Sequence, residues 1–216
     1  MNEADFGPNP IIKETKAIAA NGNLQSYLNG IKSTPGNYVI NLNGNPTAFT
    51  TTDGVSLSSG VNVSLRGAKT VSVGTATSLF EVQTGAELII RGVTLQGKAN
   101  SSYALVRVYG GLILHTGTIT GHENGSGNGG GVWIDNGGTF TMNGGEISSN
   151  YSYGSGGGVW VDDGATFTWN AGTFTNNTAA SDGQQIHKNT SGVVSGSAVT
   201  TVSGGTNDGS NAAWWN

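Results

Sequence analysis

Two tryptophans and two aspartates recur at one spacing, and they are the side chains of this sequence best suited to chemistry. The interval from Trp133 to Trp160 equals the interval from Asp135 to Asp162. Stacked indoles form a flat apolar platform on which sugar rings pack, and nearby carboxylates accept hydrogen bonds from sugar hydroxyls. Carboxylates about 5 Å apart also resemble the catalytic pair of a retaining glycosidase. Whether these side chains meet depends on the elements that carry them.

Those elements belong to an internal repeat whose period of roughly 26 residues is typical of solenoid proteins. The segment GGGVWIDNGGTFTMNGGEISSN (Gly129–Asn150) recurs as GGGVWVDDGATFTWNAGTFTNN (Gly156–Asn177). Short alternating runs end at turn pairs, which is the pattern of strands joined by tight turns. The turn pairs are Thr84-Gly85, Tyr109-Gly110, Asn136-Gly137 and Asp163-Gly164. Upstream copies are weaker, but one apolar position continues through all of them: Val63, Leu88, Ile113, Phe140, Phe167 and Val194.

The repeat predicts an all-β fold, a parallel β-helix of six to seven coils with three short strands per coil. Such a repeat leaves no room for a crossover helix, so equivalent strands stack at about 4.8 Å. Asn23 precedes apolar residues at helical spacing and Pro35-Gly36 follows them, which predicts a short capping helix over residues 23–32. The strand Tyr38–Leu42 is expected to begin the solenoid.

Three regions follow from this interpretation. They are an N-terminal extension with the capping helix (1–36), the parallel β-helix (37–203) and a C-terminal tail or cap (204–216) that ends in Trp214, Trp215 and Asn216.

Alternation assigns an interior and an exterior to each coil. In the run Val132–Asp135 the valine and isoleucine point inward, because the opposite choice buries an aspartate. The predicted inward residues are Phe80, Ala104, Val106, Val132, Ile134, Val159 and Val161 in the first strand; Val63, Leu88, Ile113, Phe140 and Phe167 beside Leu65, Ile90, His115, Met142 and Trp169 in the second; and Ile119, Ile147 and Phe174 in the third. Two outward columns are predicted, one of Leu79, Leu105, Trp133, Trp160 and His187, the other of Glu81, Arg107, Asp135 and Asp162.

The outward columns hold the candidate site. We expect Trp133 and Trp160 to be exposed and to bind a polysaccharide or glycan, and the ligand-binding set is Trp133, Trp160, Asp135, Asp162, Arg107, Glu81 and His187. An alternative role for Glu81, Arg107 and Asp135 is a structural ion-pair ladder down their column.

Four alternatives stay open. The Trp pair is a contact with another protein or a second copy of the chain, or it is covered by a neighbouring loop. A polysaccharide-degrading enzyme, either a glycoside hydrolase or a lyase, would use Asp135, Asp162 and Arg107. A short outward threonine ladder, of the kind found in ice-binding β-helices, would comprise Thr139, Thr141, Thr166 and Thr168.

Composition excludes several classes of protein. The chain has 216 residues, 37 glycines, no cysteine and only 10% charged residues. Absence of cysteine excludes disulfide and thiolate metal sites, and a net charge of −4 argues against a nucleic-acid partner. No apolar run approaches a membrane span, and MNEADFGPNP lacks a signal-peptide pattern. We expect no cofactor and no metal, with His115 in the core and His122-Glu123 in a solvated loop.

The repeat resembles a known group of proteins through its motifs. GGGV stands at Gly129–Val132 and Gly156–Val159, FTNN at Phe174–Asn177, and ISSN, which departs at the aromatic position, at Ile147–Asn150. The pattern resembles the glycine-rich repeats of right-handed parallel β-helix surface proteins of spirochaetes and related bacteria. It is also similar to the GGA[ILV] and FxxN repeats of chlamydial polymorphic outer-membrane proteins.

The resemblance covers residues 104–177 and carries several implications. It implies a right-handed β-helix, a secreted or cell-surface location and no catalytic motif. It also implies that Asn150 and Asn177 are ladder residues whose amides bond between coils. Taken with the outward tryptophans, it leads us to expect a non-catalytic, adhesin-like module that binds carbohydrate.

Overall fold

The computed structural model describes residue 6 and residues 11–50, 54–75 and 78–197. These residues form a right-handed parallel β-solenoid of about 7 turns with one short α-helix, which confirms the predicted fold class. The predicted tail 204–216, with Trp214 and Trp215, lies outside the described residues, as do residues 198–203 of the predicted solenoid.

One helix and eighteen strands follow one another in the described part of the chain. They are β1 (Ile12–Ile18), α1 (Leu24–Ile31), β2 (Gly36–Leu42), β3 (Val55–Leu57), β4 (Val61–Arg66), β5 (Thr70–Ser72), β6 (Phe80–Val82), β7 (Glu87–Gln96), β8 (Val106–Val108), β9 (Gly111–Thr120), β10 (Glu123–Asn124), β11 (Val132–Ile134), β12 (Thr139–Ser148), β13 (Tyr151–Ser152), β14 (Val159–Val161), β15 (Thr166–Thr175), β16 (Thr178–Ala179), β17 (Ile186–Lys188) and β18 (Val193–Ser195).

These strands form three parallel sheets. The long sheet runs β1-β2-β4-β7-β9-β12-β15-β18, with β5 beside β7. The second sheet consists of three-residue strands in the order β17-β14-β11-β8-β6-β3, and the third sheet is β10-β13-β16. Because every pair is parallel and joins successive coils, residues one repeat apart become neighbours.

The long sheet differs from the prediction in one respect. The second and third predicted strands of a coil form one strand of ten residues in β7, β9, β12 and β15. Each of these strands bends at a glycine with positive φ, namely Gly92, Gly117, Gly145 or Gly172. Glycine adopts this conformation without a Cβ penalty, so the chain turns a corner while the hydrogen bonds continue on both sides.

The solenoid begins one strand earlier than predicted. β1 pairs in parallel with β2, so Tyr38–Leu42 lies in the second strand of the long sheet and not in the first. Within the described residues β1 pairs on one side only. Its exposed Lys13, Glu14 and Lys16 disfavour pairing with a second chain along this edge.

Helix α1 lies where the sequence predicts it and caps the second sheet. The side chain of Asn23 accepts a hydrogen bond from the backbone N–H of Ser26 at 2.7 Å, as an N-cap does. Leu24 and Leu28 are fully buried in the core. The helix contacts β3, the first strand of the second sheet, so it covers an edge that would otherwise be open.

A single hydrophobic spine runs through the solenoid. Its register partners are Val63, Leu88, Leu112, Phe140, Phe167 and Val194. The rings of Phe140 and Phe167 are stacked with centroids 4.8 Å apart and an angle of 19° between planes. The predicted column is therefore confirmed at every position except the third.

That third position is wrong because one coil is shorter than the alignment assumed. Leu88 pairs with Leu112 and not with Ile113, so β9 is shifted by one position from the predicted register. A shift by one position exchanges the two faces of a strand. Leu112 and Leu114 are consequently buried in the core, whereas Ile113 and His115, both predicted inward, are only half-buried.

The predicted asparagine ladder is confirmed. The side-chain amide of Asn150 donates to Asn177 Oδ1 at 3.0 Å and to the carbonyl of Ile119 at 3.0 Å. The amide of Asn177 donates in turn to the carbonyl of Ile147 at 2.8 Å. Both asparagines are fully buried, so the ladder satisfies polar backbone groups that the solenoid corner removes from water.

Candidate functional site

The outward column of the second sheet has a different membership from the predicted one. Its register partners are Ser56, Glu81, Arg107, Trp133, Trp160 and His187. Glu81 and Arg107 thus share a column with the tryptophans and do not lie beside them. Arg107 pairs with Trp133 because the coil between them is two positions shorter than the alignment assumed. Leu79 and Leu105, which were predicted outward, are fully buried.

Trp160 is not the exposed platform that its sequence position suggests. It is only 8% exposed, so the expectation of exposure is wrong for this residue. The imidazole of His187 covers one face of the indole, with ring centroids 4.4 Å apart and planes at 3°. Trp133, which is half-buried, is its register partner on the other side. Burial lowers the pKa of His187 against an opposing effect of Asp182, which favours a neutral ring in the stack.

Trp133 belongs to a cluster of aromatic rings around one guanidinium, here named the Arg107 cluster (Glu81, Tyr103, Arg107, Tyr109 and Trp133). Arg107 Cζ lies 5.5 Å from the ring centroid of Trp133, 4.8 Å from that of Tyr103 and 5.3 Å from that of Tyr109. Arg107 donates a hydrogen bond to the hydroxyl of Tyr109, and its Nη1 lies 3.1 Å from Glu81 Oε1. The Glu81–Arg107 part of the predicted ion-pair ladder is therefore confirmed, whereas the next residue in the column is Trp133 and not Asp135.

Three side-chain donors of this column are buried without a hydrogen-bond acceptor in the described part of the chain. The Nε1 atoms of Trp133 and Trp160 and the Nε atom of Arg107 are buried and have no acceptor among the described residues. A buried donor without a partner costs roughly 1–3 kcal/mol. Contact between the rings and the cation must offset that cost.

Asp135 and Asp162 lie in the turns beside the aromatic column. The carboxylate of Asp135 accepts a hydrogen bond from the backbone N–H of Asn136 at 2.7 Å. That of Asp162 accepts from the N–H of Asp163 at 2.8 Å and from the side-chain amide of Asn189 at 2.7 Å. These bonds give both carboxylates a structural part in closing the turns, and none of these contacts favours the glycosidase alternative.

An open groove of about 390 Å³ lies at the corner between the second sheet and the long sheet. It crosses four successive coils. Its lining includes Tyr109, Glu87, Asn62, Thr84 and Thr139. The hydroxyls of Thr84 and Thr139 donate to the carbonyls of Tyr109 and Gly110, and Asn62 Nδ2 donates to Asn37 Oδ1, so the oxygens of these three side chains are left as acceptors. Tyr109 belongs to the groove and to the Arg107 cluster, so the guanidinium fixes the aromatic wall of the groove.

A missing side chain shapes the floor of this groove. Asn62, Glu87, Gly111 and Thr139 are successive register partners, and Gly111 leaves a gap between Glu87 and Thr139. A Cβ atom built at Gly111 would meet Glu87 Cγ and Oε1 at 3.4 Å, which is ordinary contact. The backbone therefore does not require glycine here. The gap exists because residue 111 has no side chain, and backbone geometry does not impose it.

The electrostatic surroundings keep Tyr109 protonated. Burial raises the pKa of its phenol, and the nearby carboxylates of Asp135 and Glu81 raise it further against the opposing effect of Arg107. A protonated phenol that already accepts a bond from Arg107 retains an O–H to donate into the groove.

Sequence reasoning missed the groove residues. Thr84-Gly85 and Tyr109-Gly110 were recognised only as turn pairs, and the shifted register of β9 concealed Gly111. The sequence feature that indicates the groove is the outward column in which Gly111 lies between Glu87 and Thr139. That column can be written down only once the shorter coil between Leu88 and Leu112 is known.

His122 is a further correction. It is 1% exposed and lies in the asparagine ladder, not in a solvated loop. Its backbone N–H donates to Asn150 Oδ1 at 3.2 Å, and its Nδ1 accepts from the backbone N–H of Lys98 at 3.4 Å. Nε2 lies 2.8 Å from the carbonyl of Tyr103. Burial lowers its pKa to about 4, so the ring is neutral and its Nε2–H donates to that carbonyl.

The described ranges hold neither a metal-ligand cluster nor a membrane-spanning helix. In residues 11–50, 54–75 and 78–197 no three histidine, aspartate or glutamate side chains are grouped as ligands for a metal ion. No helix in the same ranges has the length and apolar character needed to cross a membrane.

Comparison with known proteins found no match for this chain. No protein-family model matches the chain, and neither a curated protein nor a solved structure matches it. The functional argument therefore rests on the residues of this chain.

Proposed function

We propose that the protein is a non-catalytic carbohydrate-binding module and that its glycan site is the groove beside Tyr109. The observation that carries the proposal is the open groove of about 390 Å³ whose lining combines the aromatic ring of Tyr109 with residues that bear hydroxyl, amide and carboxylate groups. The volume lies within the range of about 300–1,000 Å³ that small-ligand sites have, and the lining is mostly polar, as suits a ligand rich in hydroxyls. The proposed site thus lies at the corner beside the second sheet, and its lining includes neither Trp133 nor Trp160 of the predicted platform.

The chemistry of the groove suits a sugar ring. A pyranose has an apolar C–H face, which packs on an aromatic ring, and hydroxyls at its rim, which need donors and acceptors. Tyr109 supplies the ring, while Glu87 and Asn62 supply oxygen acceptors and Thr139 supplies a hydroxyl. Half-buried and exposed groups of this kind can bind a sugar without a large conformational change.

Trp133 and Arg107 act on this site as positioning residues. Arg107 holds the Tyr109 hydroxyl and packs against the Trp133 ring. Removal of either residue would leave the groove in place but loosen its aromatic wall. In this proposal the glycan touches Tyr109, and Trp133 contributes through Arg107.

Substitution of Tyr109 tests the proposal. A glycan array would first identify a bound glycan, and titration calorimetry would then compare Tyr109→Ala with Tyr153→Ala. Tyr153 is 64% exposed and lies outside the groove lining, so it is a matched control. We expect Tyr109→Ala to weaken binding at least about tenfold, since an aromatic contact is worth about 0.5–1.5 kcal/mol beyond its buried area. No bound glycan, or equal binding by both variants, would refute the proposal.

We also propose a secreted or cell-surface location in a bacterium. The GGGV and FTNN motifs, which resemble those of β-helix surface proteins, support it. Labelling of intact cells with an antibody against the solenoid would detect the protein at the surface. Signal only after the cells are broken would contradict this location.

A further inference from the structure

We infer that the groove binds an extended polysaccharide without acidic groups, lying parallel to the solenoid axis with about one sugar unit per coil. This inference rests on the proposed carbohydrate-binding function and adds the direction, the length and the charge class of the ligand.

The direction follows from the register of the groove floor. Asn62, Glu87, Gly111 and Thr139 come from four successive coils, so the groove follows the axis and does not cross it. Successive coils of a parallel solenoid rise by about 4.8 Å. That rise is close to the length that one pyranose unit adds to an extended β-linked chain, so equivalent positions on the groove floor meet successive sugars.

The depth follows from Gly111. Thr139 and Thr166 occupy the same outward column in the next two coils, so a threonine is compatible with this position in the sheet. At Gly111 the side chain is absent and the groove is open beside Tyr109. This is where we place the ring of one sugar unit, between the side chains of Glu87 and Thr139.

The charge class follows from the carboxylates around the aromatic wall. Glu87 lines the groove, and Glu81 and Asp135 are close enough to raise the pKa of Tyr109. The positive charge that opposes these carboxylates is the guanidinium of Arg107, which is already paired with Glu81. Like charges brought together on binding are unfavourable, so a chain that carries carboxylate or sulfate groups is excluded while a neutral chain is accepted.

A length series tests the direction and the number of subsites. Neutral oligosaccharides of one to six units, built from the sugar that the array identifies, would be titrated calorimetrically into the full chain. We expect affinity to rise with each unit up to about four, the number of coils that line the groove, and then to level off. Equal affinity for one unit and for four would overturn the axial arrangement.

Gly111→Thr tests the depth. The added side chain fills the gap, and we expect at least about a tenfold loss of affinity, equivalent to about 1.4 kcal/mol, with thermal unfolding unchanged. Thr166→Ala, in the same column but outside the groove lining, is the control. Unchanged binding by a folded Gly111→Thr variant would overturn the placement.

Oligogalacturonates test the charge class. We expect them to bind at least about tenfold more weakly than neutral chains of equal length, and Glu87→Gln to narrow that difference. Equal or tighter binding of oligogalacturonates would overturn the charge class alone. Binding that depends on Tyr109 but not on length or charge would leave the proposed function intact and remove this inference, whereas the absence of any bound glycan would remove both.

Discussion

The imidazole of His187 lies parallel to the indole of Trp160, with ring centroids 4.4 Å apart and planes at 3°. The two residues are register partners in β17 and β14, one coil apart. They extend the outward column that contains Arg107 and Trp133. Packed aromatic rings therefore occur on this outer face of the solenoid as well as in its interior. This packing gives Trp160 a structural role that its sequence position conceals.

The first prediction concerns Trp160. Trp160→Ala removes a nearly buried ring and should lower the free energy of unfolding by about 3 kcal/mol. Trp160→Phe keeps a ring beside His187 and removes an indole N–H that has no acceptor among the described residues, so it should change stability by less than about 1 kcal/mol. Chemical denaturation measures both. Equal loss in the two variants would show that the indole N–H has a partner.

The second prediction concerns the asparagine ladder. Asn150→Ala deprives Asn177 Oδ1, the Ile119 carbonyl and the His122 N–H of a partner, and should cost about 3 kcal/mol or more. Asn170→Ala is the matched control, since Asn170 donates to Asn143 at 2.9 Å on the exposed face. Its cost should stay below about 1 kcal/mol. Similar unfolding midpoints for the two variants would contradict a structural role for the buried ladder.

The third prediction concerns pH. The pKa of His122 falls from 6.5 to about 4 on folding, because burial disfavours the charged ring. The unfolded chain therefore binds more protons between these values, and stability should decline as the pH falls from 6.5 to 4, by about 3 kcal/mol in all. Above pH 6.5 this contribution is constant.

The variant His122→Asn isolates this effect. Asparagine stands at the equivalent positions 150 and 177, so the ladder can accept it. Urea denaturation at several pH values should show a shallower decline between pH 6.5 and 4 in the variant than in the parent chain. Parallel pH profiles would mean that folding leaves the pKa of His122 unchanged, which would contradict the prediction.

The fourth prediction concerns the glycine run Gly129–Gly131. A Cβ at Gly130 would collide with the carbonyl oxygens of Gly157 and Tyr151, which belong to the adjacent coil. Gly130→Ala should therefore cost about 3 kcal/mol or more. Gly125→Ala meets only the carbonyl oxygen of Ser101 at 3.4 Å and should be tolerated. Thermal unfolding by circular dichroism compares the two, and a stable Gly130→Ala variant would contradict the close coil packing.

The repeat alone predicts much of the architecture. Where two copies match strongly, as in Gly129–Asn150 and Gly156–Asn177, the predicted inward faces are correct, and the Asn150–Asn177 ladder that the resemblance implies is present. These predictions are correct because the two copies have equal length, so that only one alignment of the two coils is possible. The helix after Asn23 could be predicted as well, because its capping and its apolar spacing are local properties.

The register of the upstream coils could not be obtained in this way. The coil that joins Glu87–Gln96 to Gly111–Thr120 is shorter than its neighbours, and an error of one position there reverses Leu112 and Ile113. Register errors of the same kind place Arg107 and Trp133 in different predicted columns and leave the gap at Gly111 unpredicted. Local alternation fits either register, and only hydrogen bonding between coils selects one.

The sequence by itself determined that this chain winds into a solenoid with an apolar interior, because both follow from periodicity and from the cost of burying charge. Tertiary structure decided which outward side chains meet. In the folded chain His187 stacks on Trp160, Arg107 donates a hydrogen bond to Tyr109, and a groove lies at Gly111. These outcomes depend on the length of each turn and on contacts across it, which the order of residues along one strand does not contain.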